Sequence, residues 1–257
     1  MNQQRIKILA FAICAILAPR AVFGQSAAEH IALGDREHGA FRPAQALVHF
    51  EAAVAQDSTN AVALGKASRT AVDVGEQEKD AGLRRAFYKK GESYARRAVA
   101  ADPHNAEYQF DLARALGRAA LSVGVKERVR YATEVRSVAL EALRLDPNHP
   151  GALHVMGMWN AEVMRLNGVE RFFAKNVLGG KVFGQANWKD AVSYMEKAVT
   201  VDPDRLTHHL DLAKVYLDVD DKARARQQLQ VVVTGPQSDF NDPLYKTEAE
   251  GLLRKLK

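Results

Sequence analysis

The sequence predicts an all-α fold, an α-solenoid of about five helix pairs that stack along one axis. Three observations predict it. An apolar helical phrase ending in Asp and a turn residue closes four stretches, at 53–58, 98–103, 142–147 and 198–203. Prolines fall mostly between helical runs, and valines follow a helical rather than an alternating pattern. A helix-turn-helix unit that recurs along a chain is typical of a solenoid, so successive hairpins are expected to pack on one another.

Residues 1–24 are predicted to be a secretory signal peptide. The basic residues Arg5 and Lys7 precede an apolar run over residues 8–18, and small residues before Gln25 offer a cleavage point. The run is shorter than the roughly 20 residues that a membrane span needs. An uncleaved anchor or a buried helix is the alternative. The remaining residues, 25–257, are expected to form one domain.

Export would change both the thiol content and the charge of the mature chain. The only cysteine, Cys14, lies within the apolar run, so a cleaved chain would carry no disulfide and no thiolate metal site. Cleavage also removes Arg5, Lys7 and Arg20 and no acidic residue, which lowers the net charge from +5 to +2. A nearly balanced surface does not favour nucleic acid or an acidic membrane as a partner.

The first and last helix pairs resemble tetratricopeptide repeats. Residues 27–60 place Leu33-Gly34, Ala46, Phe50 and Ala53 at the spacings of that family. The resemblance implies a right-handed solenoid, with small residues that let paired helices approach closely. In the closing phrases the Asp is expected to cap the next helix, and the Pro that follows it in three of the four, replaced by Ser58 in the first, is expected to occupy the first turn of that helix. The predicted units are 27–60, 61–105, 106–149, 150–205 and 206–239, with a capping helix at 243–256.

The middle units exceed the 34-residue repeat. The first two are expected to have longer helices and longer turns, near 74–79 and 123–126. The third contains an insertion, for which the pattern predicts a short amphipathic helix over 169–178 between Asn167-Gly168 and Gly179-Gly180. Such a helix would plug one end of a groove or dock on a partner. Its apolar residues are Val169, Phe172, Phe173, Val177 and Leu178.

Three segments resemble a more specific family. Residues 106–120, 151–180 and 187–203 are similar to the core of the regulator of microtubule dynamics protein family, including the pairing of Gly157 with Trp159. The resemblance covers about 90–255 and implies a helical-repeat fold with a protein-interaction role. It also implies a microtubule- or organelle-associated adaptor as one alternative function. The apparent export signal departs from the family pattern.

No catalytic, cofactor or metal motif is found. There is no His-Glu-x-x-His, no phosphate loop and no nucleophile elbow, and the adjacent His208 and His209 point about 100° apart on a helix. The chain is therefore predicted not to be an enzyme and to bind no cofactor. An enzymatic alternative would need a carboxylate-histidine cluster that spacing does not reveal.

The tetratricopeptide resemblance places a peptide-binding groove on the first helices. Arg114 and Lys214 are expected to hold a peptide carboxylate, while Phe110, Met158 and Leu210 bury its side chains. The alternative is that the apolar positions are core and the charges merely solvated, and Trp159 is expected to be core. The implied groove residues are Phe110, Asp111, Arg114, Arg118, His154, Val155, Met158, Glu162, Leu210, Asp211, Lys214 and Leu217.

The sequence thus predicts an exported, periplasmic or secreted scaffold that binds a protein or peptide on its concave face. No nucleic-acid partner and no stable membrane span after cleavage are expected, and the oligomeric state is not determined. The alternative is a structural subunit of an envelope assembly that docks through the 169–178 helix. Two substitutions test the hypothesis: Gly157→Leu is expected to destabilise the fold, and Arg114→Glu to abolish ligand capture without unfolding.

Overall fold

The computed structural model describes residues 25–256, which form twelve α-helices and one short 3-10 helix, with no strand in that range. The predicted signal peptide and Cys14 lie outside the described residues. The helices are α1 (Ala27–Gly39), α2 (Pro43–Gln56), α3 (Ala61–Gln77), α4 (Ala81–Ala101), α5 (Ala106–Ala120) and α6 (Val125–Leu145). They continue with α7 (Pro150–Arg165), α8 (Gly168–Asn176), the 3-10 helix (Lys181–Gln185), α9 (Trp188–Val201), α10 (Leu206–Asp218), α11 (Lys222–Thr234) and α12 (Asp242–Lys255).

Ten of these helices form five antiparallel pairs. The pairs are α1 with α2, α3 with α4, α5 with α6, α7 with α9, and α10 with α11. The first helices of successive pairs also contact one another, in the order α1, α3, α5, α7 and α10. The predicted all-α solenoid of five pairs with a C-terminal capping helix is therefore confirmed. None of the helices described in residues 25–256 is long and apolar enough to cross a bilayer.

The sequence suggested that the recurring Asp caps the following helix. In the structure it does not. Asp57 and Asp146 are C-cap residues of α2 and α6, and their carboxylates accept hydrogen bonds from the amides of Thr59 (3.1 Å) and Asn148 (2.9 Å). The next helix is capped three residues later, for example by Asn60. The Asp thus stabilises the turn itself, because its side chain reaches the backbone two residues on. Pro103 and Pro147 likewise lie in turns rather than in a first helical turn.

The additional length of the middle units lies in their helices. Both α4 and α6 have 21 residues, whereas α1 has 13 and α2 has 14. The turns within these pairs remain short, at 78–80 and 121–124. The expected longer helices are confirmed. The expected longer turns are not found, because residues 74–77 belong to α3 and residues 125–126 to α6.

Glycines in the first helices let large side chains from neighbouring helices approach the backbone. A Cβ added to Gly157 would lie 2.5 Å from Met195 Cγ on α9, and one added to Gly65 would lie 2.7 Å from Tyr108 Cε1 on α5. Gly34 accepts the ring of Phe50 in the same way. The predicted role of small residues in close helix packing is confirmed.

Trp159 belongs to the core, as predicted. It is 6% exposed, and its indole N–H donates to the carbonyl of Ala132 on α6 over 2.7 Å. Its ring meets Phe183 of the 3-10 helix edge to face, with centroids 5.9 Å apart. The insertion between α7 and α9 is therefore anchored to the stack through the 3-10 helix.

Candidate interaction surface on the inner face of the helix stack

The first helices α1, α3, α5, α7 and α10 form one side of the stack, which we call the inner face. Complementary charges join α3 to α5 across it. Arg114 Nη2 lies 2.6 Å from Asp73 Oδ1 and 3.1 Å from Glu76 Oε1, and Arg118 Nε lies 2.8 Å from the same Glu76 oxygen. Arg69 also forms an ion pair across this face, with Asp111, but here the cation belongs to α3 and the carboxylate to α5. The charges on the two helices therefore satisfy one another.

Burial and pairing oppose each other in the pKa values of these carboxyls. Burial raises the pKa of Asp73, but attraction to Arg114 and a hydrogen bond from His38 outweigh it and hold that pKa below its ordinary value. For Asp111 burial prevails over the bond from Arg69, and its pKa rises to about 6. Arg114, which is half-buried, keeps its charge because the pKa of its guanidinium is raised by Asp73 and Glu76 against the effect of burial.

A second charged cluster joins α7 to α10. His154 Nε2 lies 2.9 Å from Asp211 Oδ2, and Lys214 Nζ lies 3.1 Å from Asp211 Oδ1 and 2.8 Å from Glu248 of α12. The ring of His154 stacks on His208, with centroids 4.9 Å apart. Burial alone would raise the pKa of Asp211, but the hydrogen bond from His154 and the charge of Lys214 bring it well below its ordinary value.

The C-terminal turn covers part of the inner face. Asn241, which precedes α12, donates from Nδ2 to Glu76 Oε2 of α3 over 2.7 Å. The ring of Phe240 packs against His38 at the end of α1, with centroids 6.2 Å apart. Asp239 pairs with Arg205 over 3.0 Å. The segment that precedes α12 is thereby joined to α1 and α3, which belong to the first two helix pairs.

A cleft remains open beside this turn, between α3, α4, α5 and α12. Its volume is about 540 Å³. Leu121 and Leu244 are exposed at its wall, and Arg85 is exposed beside them. The cleft therefore combines apolar side chains with positive charge. Further lining residues include Glu76, Tyr88, Arg118, Tyr245 and Glu248.

The four predicted groove residues of α5 have different surroundings. Asp111 and Arg114 are engaged in ion pairs with α3, and Asp111 is buried. Phe110 of α5 packs on the ring of His149, the N-cap residue of α7, with ring centroids 4.9 Å apart. Of the four, only Arg118 lines the cleft.

The predicted groove residues of α7 and α10 also have different surroundings. Met158 packs in the cluster around Leu212, and Glu162 is exposed and paired with Arg165. Leu210 is 1% exposed and packs in the core formed by α10, α11 and α12, so its side chain is not accessible to a ligand. His154, Asp211 and Lys214 come together in the second charged cluster. Of the two remaining positions, Val155 packs against the main core and Leu217 packs beside Tyr216.

Sequence reasoning missed the acidic partners on α3 and the residues of the C-terminal turn. A signal for the former exists: Arg69, Asp73 and Glu76 are spaced i, i+4, i+7, so they form one stripe of the helix. The matching stripe on α5 carries the opposite charges in the same order. No local signal identifies Asn241, because its partner Glu76 lies 165 residues away.

Comparison with known proteins agrees with this architecture. The family model described as regulator of microtubule dynamics protein 1-3 matches residues 35–257. The chain belongs to this family. A regulator of microtubule dynamics protein 1 from Caenorhabditis elegans is 26% identical over 172 residues, which cover 67% of this chain and 75% of that protein.

A second relative of the same name, from Bos taurus, is 28% identical over 162 residues. That match covers 63% of this chain and 50% of the bovine protein. The chain thus matches about half the length of the bovine family member. Among solved structures, a tetratricopeptide repeat protein from Thermus thermophilus has a TM-score of 0.60 at 18% identity, covering 87% of this chain and 98% of that one. This likeness establishes a shared tetratricopeptide-like fold.

Proposed function

We propose that the chain is an exported, non-enzymatic protein-interaction scaffold that binds an extended segment of another protein. Membership of the family and the tetratricopeptide-like fold support the scaffold role. The export proposal rests on the composition of residues 1–24. The binding site proposed is the cleft beside α12, which shares only Arg118 with the groove suggested by the sequence.

One observation carries this choice of site: at this cleft, beside the inner face, an unpaired cation and exposed apolar side chains are accessible together. Leu121 is 64% exposed and Leu244 is 57% exposed, so a ligand side chain placed between them would remove apolar surface from water. Arg85 forms no ion pair with any carboxylate in the described part of the chain. Its guanidinium is therefore available for a ligand carboxylate.

The charged clusters elsewhere on the inner face are weaker candidates. Arg114 is held by Asp73 and Glu76, and Lys214 by Asp211 and Glu248. A ligand carboxylate would have to replace those partners and leave buried carboxyls unpaired. The cleft needs no such exchange, and its ligand is expected to combine an apolar side chain with a carboxylate.

A peptide selection tests the proposal. A random peptide library displayed on phage is selected against the whole chain, and the selected peptides are titrated against three variants by fluorescence anisotropy. Arg85→Glu and Leu244→Ser are expected to weaken binding about tenfold or more, since each removes one class of cleft contact. Val48→Ser, at an exposed apolar position on α2, is the matched control and is expected to have no effect. Equal binding by all three variants would exclude the cleft.

The alternative, a subunit of an envelope assembly that docks through residues 169–178, also has a supporting observation. Phe172 and Phe173 on α8 are both more than half exposed. That function requires α8 and not the cleft, so the cleft variants would retain it. The microtubule-adaptor alternative rests on the names of the nematode and bovine relatives.

A further inference from the structure

Helix α8 presents its large apolar side chains to solvent. Val169 is 73% exposed, Phe172 62%, Phe173 53% and Val177 59%. These residues are spaced i, i+3, i+4 and i+8 and therefore share one side of the helix. The opposite side rests on the stack through the small Ala174, which is buried. The usual arrangement of an amphipathic surface helix is thus reversed.

The helix is nevertheless well formed at its start. Asn167 accepts from the Glu170 amide over 2.9 Å, and the Glu170 carboxylate accepts from the Asn167 amide over 3.0 Å. This capping box satisfies two end groups of the helix. Its extensive contacts within the described chain are with the short 3-10 helix. The apolar face therefore projects from the solenoid as a ridge on a defined helix.

The charge beside this ridge is positive. Residues 168–181 contain the exposed Lys175 and Lys181, and the only acidic residue in this range, Glu170, is used in the capping box. Arg171 lies on the side of α8 that faces the stack, where its guanidinium donates to Met164 Sδ over 2.8 Å. None of the three cations forms an ion pair with a carboxylate in the described part of the chain.

We propose that the α8 face docks on the surface of an anionic lipid bilayer. The two phenylalanines and two valines would enter the boundary between headgroups and acyl chains, and the two exposed lysines would lie at the headgroups. A fluid hydrocarbon phase accepts a projecting ridge without a preformed groove. Attraction to anionic lipid adds to apolar burial, so binding is expected to be stronger on anionic vesicles than on neutral ones.

The same charges disfavour a second copy of the chain as the occupant. If two α8 faces met, both would bring the positive charge of Lys175 and Lys181 to the contact. Like charges brought together in an interface oppose association. A bilayer carrying anionic headgroups supplies the complementary charge.

The inference is tested by flotation of the full chain with two kinds of vesicle. One kind is phosphatidylcholine alone, and the other is roughly 70% phosphatidylcholine and 30% phosphatidylglycerol. Wild type is expected to bind the anionic vesicles more strongly. The double variant Phe172→Ser/Phe173→Ser is expected to lose about tenfold or more in partitioning. Val48→Ser/Leu83→Ser, at exposed apolar positions outside α8, is the matched control and is expected to bind like wild type.

Three further variants separate the effect of charge from that of apolar burial, and binding through α8 from binding through residues 1–24. Lys175→Glu/Lys181→Glu is expected to abolish the preference for anionic vesicles, with binding to neutral vesicles unchanged. A tryptophan in place of Phe173 is expected to be quenched by brominated lipid, whereas one in place of Val48 is not. Equal partitioning of wild type and Phe172→Ser/Phe173→Ser, or no quenching at position 173, would overturn the proposal.

Self-association is measured by light scattering without vesicles. If wild type is a dimer that Phe172→Ser/Phe173→Ser dissociates while vesicle binding is unchanged, the occupant is a second copy and the bilayer is excluded. A monomer at every concentration, together with the loss of flotation, supports the bilayer. These experiments do not involve the cleft, so they can fail while the peptide proposal stands.

Discussion

At the scale of single residues, glycines decide how closely paired helices approach. Gly157 on α7 faces Met195 of α9, which is fully buried, and a Cβ at this position would also lie 3.2 Å from the carbonyl oxygen of Ala191. Gly117 on α5 has no atom within 4 Å of the position a Cβ would take. The two residues look alike in the sequence, and only their neighbours distinguish them.

Gly157→Leu is expected to lower the free energy of unfolding by about 1–3 kcal/mol, because the added side chain overpacks the α7–α9 contact. The measurement is urea denaturation followed by circular dichroism. Gly117→Leu is the matched control and is expected to be neutral or slightly stabilising, since a helical glycine costs backbone entropy. Equal effects at both positions would remove the close-contact role from Gly157.

Arg114→Glu is now expected to destabilise the fold rather than merely to abolish ligand capture. The substitution would place a third carboxylate beside Asp73 and Glu76 in a largely buried site. A loss of about 3–5 kcal/mol in the free energy of unfolding is expected, measured by urea denaturation. Arg85→Glu makes the same charge change at an exposed position and is expected to change stability by less than about 0.5 kcal/mol. A fully stable Arg114→Glu protein would show that the α3–α5 pairs are dispensable.

The Asp211 cluster predicts a pH dependence. The folded-state pKa of Asp211 lies below its ordinary value of 3.8, so its contribution to stability is present above that pH and is lost as the pH falls through the folded pKa. Asp211→Asn is expected to unfold more easily by about 1–3 kcal/mol at pH ~7, and the difference from wild type should narrow below pH ~4. Thermal unfolding of both proteins across this range measures it.

Asp220→Asn is the control for that series, because Asp220 is exposed and its ion pair with Lys222 is solvated. Its unfolding midpoint is expected to follow that of wild type at each pH. A difference for Asp211→Asn that stays constant between pH ~7 and pH ~3 would contradict the assignment.

At the scale of secondary-structure elements, the turn before α12 holds that helix against α3 through a side-chain hydrogen bond. Asn241 is 2% exposed and donates to Glu76. Asn241→Asp keeps the shape of the side chain but faces Glu76 with a second carboxylate. The amides of α12 are expected to exchange with deuterium at least about tenfold faster, since local opening becomes easier. Asn148→Asp, in an exposed turn, is the control, and unchanged α12 exchange in Asn241→Asp would show that the turn is held by packing alone.

The elements differ in how well the sequence predicts them. The α8 insertion, the capping helix and the burial of Trp159 follow from periodicity and from residue type, which are local signals. The identity of the helix caps does not follow from these local signals. Asp57 and Asn60 are both good capping residues, and only backbone geometry selects between them. The sequence placed Leu210 of α10 in the groove, whereas the structure places it in the core, because α12 covers it. That contact is long-range, so spacing along the chain does not reveal it.

At the scale of the whole molecule, the sequence by itself determined the all-α class, the number of helix pairs and the close contacts between them. Those features are specified by spacing within about 40 residues, where helical period and small-residue positions act directly. The tertiary structure alone decided which inner-face charges are consumed in pairs, which part of that face stays open and which side of α8 meets solvent. These depend on how all the helix pairs stack, because that arrangement brings Asn241 to Glu76 across 165 residues and no single segment encodes it.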